Sequence, residues 1–162
     1  MAVALIEHQA GGFALELGRK GTALLGHQTP LCGEHSRLNG CPESLDHYIP
    51  VSISSMEKSY TGAIDGISST AFTAAFDQAS RRGSYIAMES FKGSVNGVEG
   101  SFNFIHSAST TGVDRADEFF CIVGGSGTDG LKGISGSGGI TIDIDGTHHI
   151  WLNYHLEKFN KP

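Results

Sequence analysis

An acid and an imidazole fall in phase with an aromatic stripe between Tyr85 and His106. The stretch reads as two β-strands around a turn, and a strand sends successive side chains to opposite faces. The first strand then puts Tyr85, Ala87, Glu89 and Phe91 on one face. The second puts Phe102, Phe104 and His106 on one face and Ser101, Asn103 and Ser107 on the other. A third titratable group, His148, shares a face with Ile150, Leu152, Tyr154 and Leu156 in the last alternating segment. Burial raises a carboxyl pKa and lowers an imidazole pKa, which moves both towards neutrality and suits general acid/base work. Glu89, His106 and His148 are therefore the candidate catalytic residues. Tyr85, Phe91, Phe102, Phe104 and Tyr154 are the candidate substrate-contacting residues. A purely structural alternative stays open, in which Glu89 accepts internal hydrogen bonds from His106 or a tyrosine.

The elements that must position these groups are short and extended. Val3 to Ile6 reads as a strand, and Gly11 to Leu17 as a weaker one. From Gly18 to Pro50 the chain turns to Gly, His, Pro, Ser and Asn, so residues 1–50 form an irregular segment and a candidate lid. From Val51 onward the alternation tightens. Ser59 to Asp65 and Ser69 to Phe76 flank a turn at Gly66, followed by strands over 84–95 and 98–108 and the apolar run Glu118 to Val123. Leu131 to Gly138 is a Gly-rich strand or bulged connection. Gly139 to Ile144 and His148 to Leu156 flank Asp145-Gly146, a hairpin signal. Only Thr73 to Gln78 and Leu38 to Leu45 carry a weak helical pattern. The expectation is an all-β chain, with residues 51–162 forming a single antiparallel up-and-down β-barrel of about eight strands. A barrel of that size is just wide enough to be filled by side chains or to hold one small ligand.

Composition narrows the function. The chain has 162 residues, enough for one domain with a usable core, and its 23 glycines fit many turns better than a helical bundle. A net charge of −6 argues against nucleic acid and against an anionic membrane surface. No apolar run approaches the roughly 18–20 residues that span a bilayer. The opening Met-Ala-Val-Ala-Leu-Ile-Glu-His lacks a basic region, so a cytoplasmic setting is expected. There Cys32, Cys41 and Cys121 would stay reduced.

Other motifs carry less. His27, Cys32, His35, Cys41 and His47 are zinc-ligand types, but Cys-x8-Cys with no close pair makes a loop the better reading, and no metal is expected. The run Gly124 to Gly130 lacks the following helix and lysine that a phosphate loop needs, so it reads as a turn. Nothing in the pattern asks for a cofactor.

An ordered set of residues resembles the DUF3224 family. It comprises Lys58, Tyr60, Thr61 and Gly62; Glu89, Gly93, Gly97, Gly100, Ser101, Phe102 and His106; Gly125, Ser126, Gly127 and Thr128 with Leu131 and Gly133; and Gly146, His148, Leu152, Tyr154 and Leu156. The resemblance covers residues 55–157, and the first fifty residues do not share it. It implies a barrel like those of allene oxide cyclase and the calycins, a homodimer, and no established activity. Residues and resemblance together lead to two expectations. One is a barrel that binds one small apolar molecule and acts as a cofactor-free isomerase or cyclase through Glu89 and a histidine. The other is a non-catalytic carrier of a hydrophobic ligand, or a structural dimeric barrel.

Overall fold

The computed structural model describes residues 1–8, 49–111 and 114–157. Eight antiparallel strands close into one barrel in sequence order. They are β1 (Ala2–His8), β2 (Val51–Gly62), β3 (Ile64–Asp77), β4 (Arg82–Val95), β5 (Val98–Thr110), β6 (Arg115–Ile122), β7 (Ile134–Ile142) and β8 (His148–Leu156). A single 3₁₀ turn, Asp129–Leu131, interrupts the connection from β6 to β7. No helix among the described residues is long and apolar enough to cross a membrane.

The period-two pattern decides which side chains enter. Lys58 and Tyr60 on β2, Ser68 and Thr70 on β3, Ala87, Glu89 and Phe91 on β4, and Phe102, Phe104 and His106 on β5 are all buried, while their sequence neighbours are more exposed. The expected β4–β5 hairpin forms in the expected register, with Ala87 opposite His106 and Glu89 opposite Phe104. Asn96 and Gly97, both at positive φ, make its turn. β1 pairs with both β2 and β8, so the barrel draws its closing strand from the segment before residue 50.

Three local expectations change. The β2–β3 connection falls at Ala63, and Gly66 lies inside β3 opposite Gly93. A Cβ on Gly93 would lie 2.1 Å from the Asp65 carbonyl oxygen, so the bare pair marks a close approach of two strands rather than a turn. Thr73 to Gln78 is no helix: β3 continues to Asp77, held by β2 and β4, and tertiary pairing overrides a weak local pattern. The parts of Leu131 to Gly138 and Gly139 to Ile144 between Ile134 and Ile142 form the single strand β7, which pairs with β8 in unbroken register, while Leu131 belongs to the 3₁₀ turn. The strand expected over Gly11 to Leu17, the helical pattern at Leu38 to Leu45 and the His- and Cys-bearing stretch lie outside the described residues; of the candidate lid, residues 1–50, the structure describes residues 1–8 and 49–50, and Ala2–His8 of these form β1.

The core fills the barrel from the β4–β5 turn upward. Ile64, Val95, Leu131 and Ile134 pack below Phe91 and Phe102. Phe91 and Phe102 sit 5.1 Å apart and Phe102 and Phe104 5.9 Å apart, ring centre to ring centre. Buried aromatics of this size dominate core energetics, each contributing on the order of 2–3 kcal/mol by removal from water.

Candidate functional site

The inner faces of β2 to β5 place five polar side chains above this aromatic floor. Glu89 is 0% exposed, and each oxygen of its carboxylate has two partners. Lys58 Nζ and His106 Nε2 meet Oε1, the latter at 2.7 Å. Tyr60 Oη and Ser68 Oγ each donate to Oε2 at 2.6 Å. Strand register explains the convergence. Lys58 is opposite Ser68 across β2–β3, and Glu89 lies one strand further on, between Thr70 and Phe104. An ionised carboxylate offers about four acceptor sites, and here all four are taken by donors.

That arrangement reverses one expectation. Burial does raise the Glu89 carboxyl pKa, but the hydrogen bond from His106 and the charge of Lys58 outweigh it and hold the group far below the usual carboxylate range. Glu89 is therefore a fixed anion. His106 moves as expected. Burial lowers its pKa more than the Glu89 carboxylate raises it, which favours the neutral ring. The same burial, together with Glu89, pushes the Tyr60 phenol far above its ordinary value and keeps it a donor.

A neutral His106 that donates from Nε2 to Glu89 has a bare Nδ1, and Tyr85 Oη lies 3.1 Å from that atom. Tyr85 Oη in turn accepts from Arg115 Nη2 at 3.0 Å, and the guanidinium carbon stands 5.8 Å from the Tyr85 ring centre. A single line of hydrogen bonds thus runs from the buried Glu89 through His106 to the half-buried Tyr85 and Arg115. Burial raises the Tyr85 pKa, and Arg115 pulls against it.

Arg115 reaches the interior through a break in the alternation. On β6, Phe120 and Ile122 point inward, which by period two sends Arg115 outward. The β5–β6 register shifts between Ser107 and Ser109, and Asp117 takes φ 51. This β-bulge sets Arg115 opposite Thr110 and turns it towards Tyr85.

The remaining candidates separate. Phe91, Phe102 and Phe104 are packed ring on ring as the floor. Tyr85 stacks on Phe72 at 5.1 Å and meets His106 edge-on. Tyr154 accepts a hydrogen bond from Asn96 in the β4–β5 turn, at the opposite end from Tyr85. His148 is on β8, in register with Ile6 and Ile142, four strands from β4 either way round the ring. Glu89 and His106 are brought together, and His148 lies across the barrel from them. Lys58, Tyr60, Ser68 and Arg115 carried no role in the sequence reading. Lys58 and Tyr60 were within reach of it, since they alternate in phase on β2. Among the described residues, no group of three or more His, Cys, Asp or Glu could hold a metal ion.

The model of the DUF3224 family, a family of proteins of unknown function, matches residues 41–154. The chain belongs to the DUF3224 family. It is also similar to the crystal structure of a DUF3224 protein of unknown function from Shewanella oneidensis MR-1. That similarity covers 96% of each chain at 18% identity, with a TM-score of 0.66, and at that identity it speaks for the fold alone. No curated protein matches this chain. The likeness to that structure supports the fold described above.

Proposed function

We propose that this barrel binds one small, largely apolar molecule and moves a proton on it without a cofactor, as an isomerase or cyclase. The observation that carries the reading is the line Glu89–His106–Tyr85–Arg115, with the His106 imidazole facing a phenol that is flanked by a cation. Tyr85 takes a proton from a carbon of the ligand while its own phenolic proton passes to His106 Nδ1. The resulting imidazolium faces the Glu89 anion, and Arg115 steadies the phenolic oxygen. Running the relay backwards delivers a proton to another carbon, so the ligand isomerises and no atom is gained or lost. Glu89 is then a positioning residue rather than the acid, with the logic of a carboxylate that orients a catalytic histidine. The resemblance to cyclase-bearing barrels read from the sequence is an analogy that favours the same reading.

The test is proton exchange in deuterated buffer, followed by NMR on a set of cyclic ketones and β,γ-unsaturated enones. Exchange above the buffer rate is expected for the wild type and is lost in Tyr85→Phe and His106→Gln. Wild-type rates no higher than buffer with every compound, or unchanged rates in both variants, would refute the proposal.

A second reading has its own support. Ile53 on β2, Ile86 and Met88 on β4 and Phe119 on β6 are exposed on the outer wall, with Thr73 and Ser107 in register between them, an uncharged band suited to a second copy. A dimeric ligand carrier, with the Glu89 cluster serving only to lock the barrel, fits that band equally well. In either case a cytosolic setting is proposed, where the half-buried thiol of Cys121 stays reduced.

A further inference from the structure

The barrel wall has one weak seam. β6 and β7 are in register at a single pair, Cys121 with Ser137, while every other neighbouring pair of strands keeps a longer ladder. A cleft of about 370 Å³ opens along this seam, within the size range of ligand sites at roughly 300–1,000 Å³ and at its small end. His106 lines it, as do Phe119 and Phe120, Arg115 and Trp151.

Two glycines on β7 shape the cleft. A Cβ on Gly138 would lie 2.9 Å from the Phe120 ring, and one on Gly139 would lie 2.8 Å from the Trp151 indole nitrogen. The missing side chains let the Phe120 ring approach β7 from one side and let the indole approach it from the other. Phe120 therefore covers the inner face of β7 and Trp151 its outer face, and the cleft between β6 and β7 is edged by both aromatic side chains, contacts suited to a planar ring.

Its charge is equally specific. Arg115 lines the cleft, its Nε is buried, and that Nε has no hydrogen-bond partner. A buried donor without a partner costs about 1–3 kcal/mol, so an acceptor brought by a ligand recovers that cost. The Glu118 carboxylate, also at the cleft, stands 3.5 Å from Arg115 Nη2 and is 45% exposed. It occupies the guanidinium from the solvent side, as an exchangeable anion would.

The geometry points to this seam as the ligand's way in and binding site, and to the ligand class as a planar aromatic or conjugated carboxylate. The ring lies against Trp151 and Phe120, and the carboxylate displaces Glu118 and binds Arg115 through both Nη2 and the unpartnered Nε. His106 is then at the inner end of the bound molecule. The binding claim stands apart from the chemistry; it rests on the proton-transfer reading only for the fate of the ligand once bound.

The chain has one tryptophan, so it gives one indole Nε1–H cross-peak, and that peak reports on the cleft directly. Titration of the full chain with naphthalene-2-carboxylate and with the isosteric neutral naphthalene-2-carboxamide separates ring from charge. The carboxylate is expected to shift the indole peak saturably and to bind at least tenfold tighter than the amide. Arg115→Gln should bring that ratio to about one. Glu118→Gln, which removes only the competing anion from the surface, should raise carboxylate affinity several-fold and leave the amide unchanged. No indole shift with either probe, equal affinities in the wild type, or a ratio untouched by both substitutions would overturn the site. A charge preference that depends on Arg115, without proton exchange on any ligand, upholds the site and overturns the catalytic reading. Exchange in wild type without any seam binding upholds the chemistry and overturns the site.

Discussion

Replacing Lys58 with methionine would strand a buried carboxylate. Lys58 is 4% exposed and Glu89 0%, so neither charge has water to fall back on. Breaking a buried ion pair by removing one partner costs about 3–5 kcal/mol, because the remaining charge keeps its desolvation cost. A chain of this size loses roughly 2–4 °C in Tm per kcal/mol, so the variant should melt roughly 6–20 °C below the wild type. The pH dependence identifies the cause. In the wild type the Glu89 pKa is depressed, so its contribution is present above the unfolded value near 4.5 and is lost only as pH falls through the lower folded value. Without the ammonium the folded pKa climbs, and Glu89 takes up a proton at a higher pH than in the wild type. The stability gap between variant and wild type should then narrow as pH drops from 7 to 4. Urea denaturation followed by Trp151 emission at several pH values measures both quantities. A gap under about 1 kcal/mol at pH 7, or one that is the same at pH 4, would refute the assigned role of Lys58.

Four further outcomes are expected. His106 has a lowered pKa, so its contribution is full above the unfolded value near 6.5 and falls as pH drops below it; His106→Gln should flatten the wild-type loss of stability between pH 6.5 and 5 in the same urea assay. Thr70 Oγ1 is buried without a partner, so Thr70→Val should raise stability by about 1 kcal/mol, and a loss instead would reveal a hydrogen bond to a buried water. Gly93→Ala drives a Cβ into the β3 backbone and should cost about 3 kcal/mol, the upper end of overpacking, with circular dichroism melting as the check. Met88→Lys on the outer band should convert a dimer to a monomer in sedimentation velocity; a wild type that is already monomeric would remove the dimer from the account.

The sequence made the β4–β5 face legible because period two is a local property. Glu89, His106 and their aromatic neighbours emerge from counting every second residue. The partners of Glu89 were harder to reach. Lys58 and Ser68 arrive by the registers of β2 on β3 and β3 on β4, which are long-range facts that no single segment carries. The pKa direction of Glu89 failed for the same reason, since burial and a donor from His106 or a tyrosine were readable and the convergence of all four donors was not. Arg115 was hidden by a bulge, because one extra residue moves every side chain beyond it to the other face. Gly66 and Thr73 to Gln78 misled because a glycine and a short polar-apolar mix mean different things once three long strands run side by side. His148 alternates correctly with its neighbours, yet alternation says nothing about which strands stand next to each other.

The relay depends most directly on the state of one ring. Nitrogen-15 NMR of the His106 imidazole at pH 7 distinguishes its two nitrogens. The account predicts a neutral ring with the proton on Nε2, towards Glu89, and a bare Nδ1 that accepts from Tyr85 and loses that bond in Tyr85→Phe. A proton on Nδ1, or a doubly protonated ring at pH 7, would contradict it.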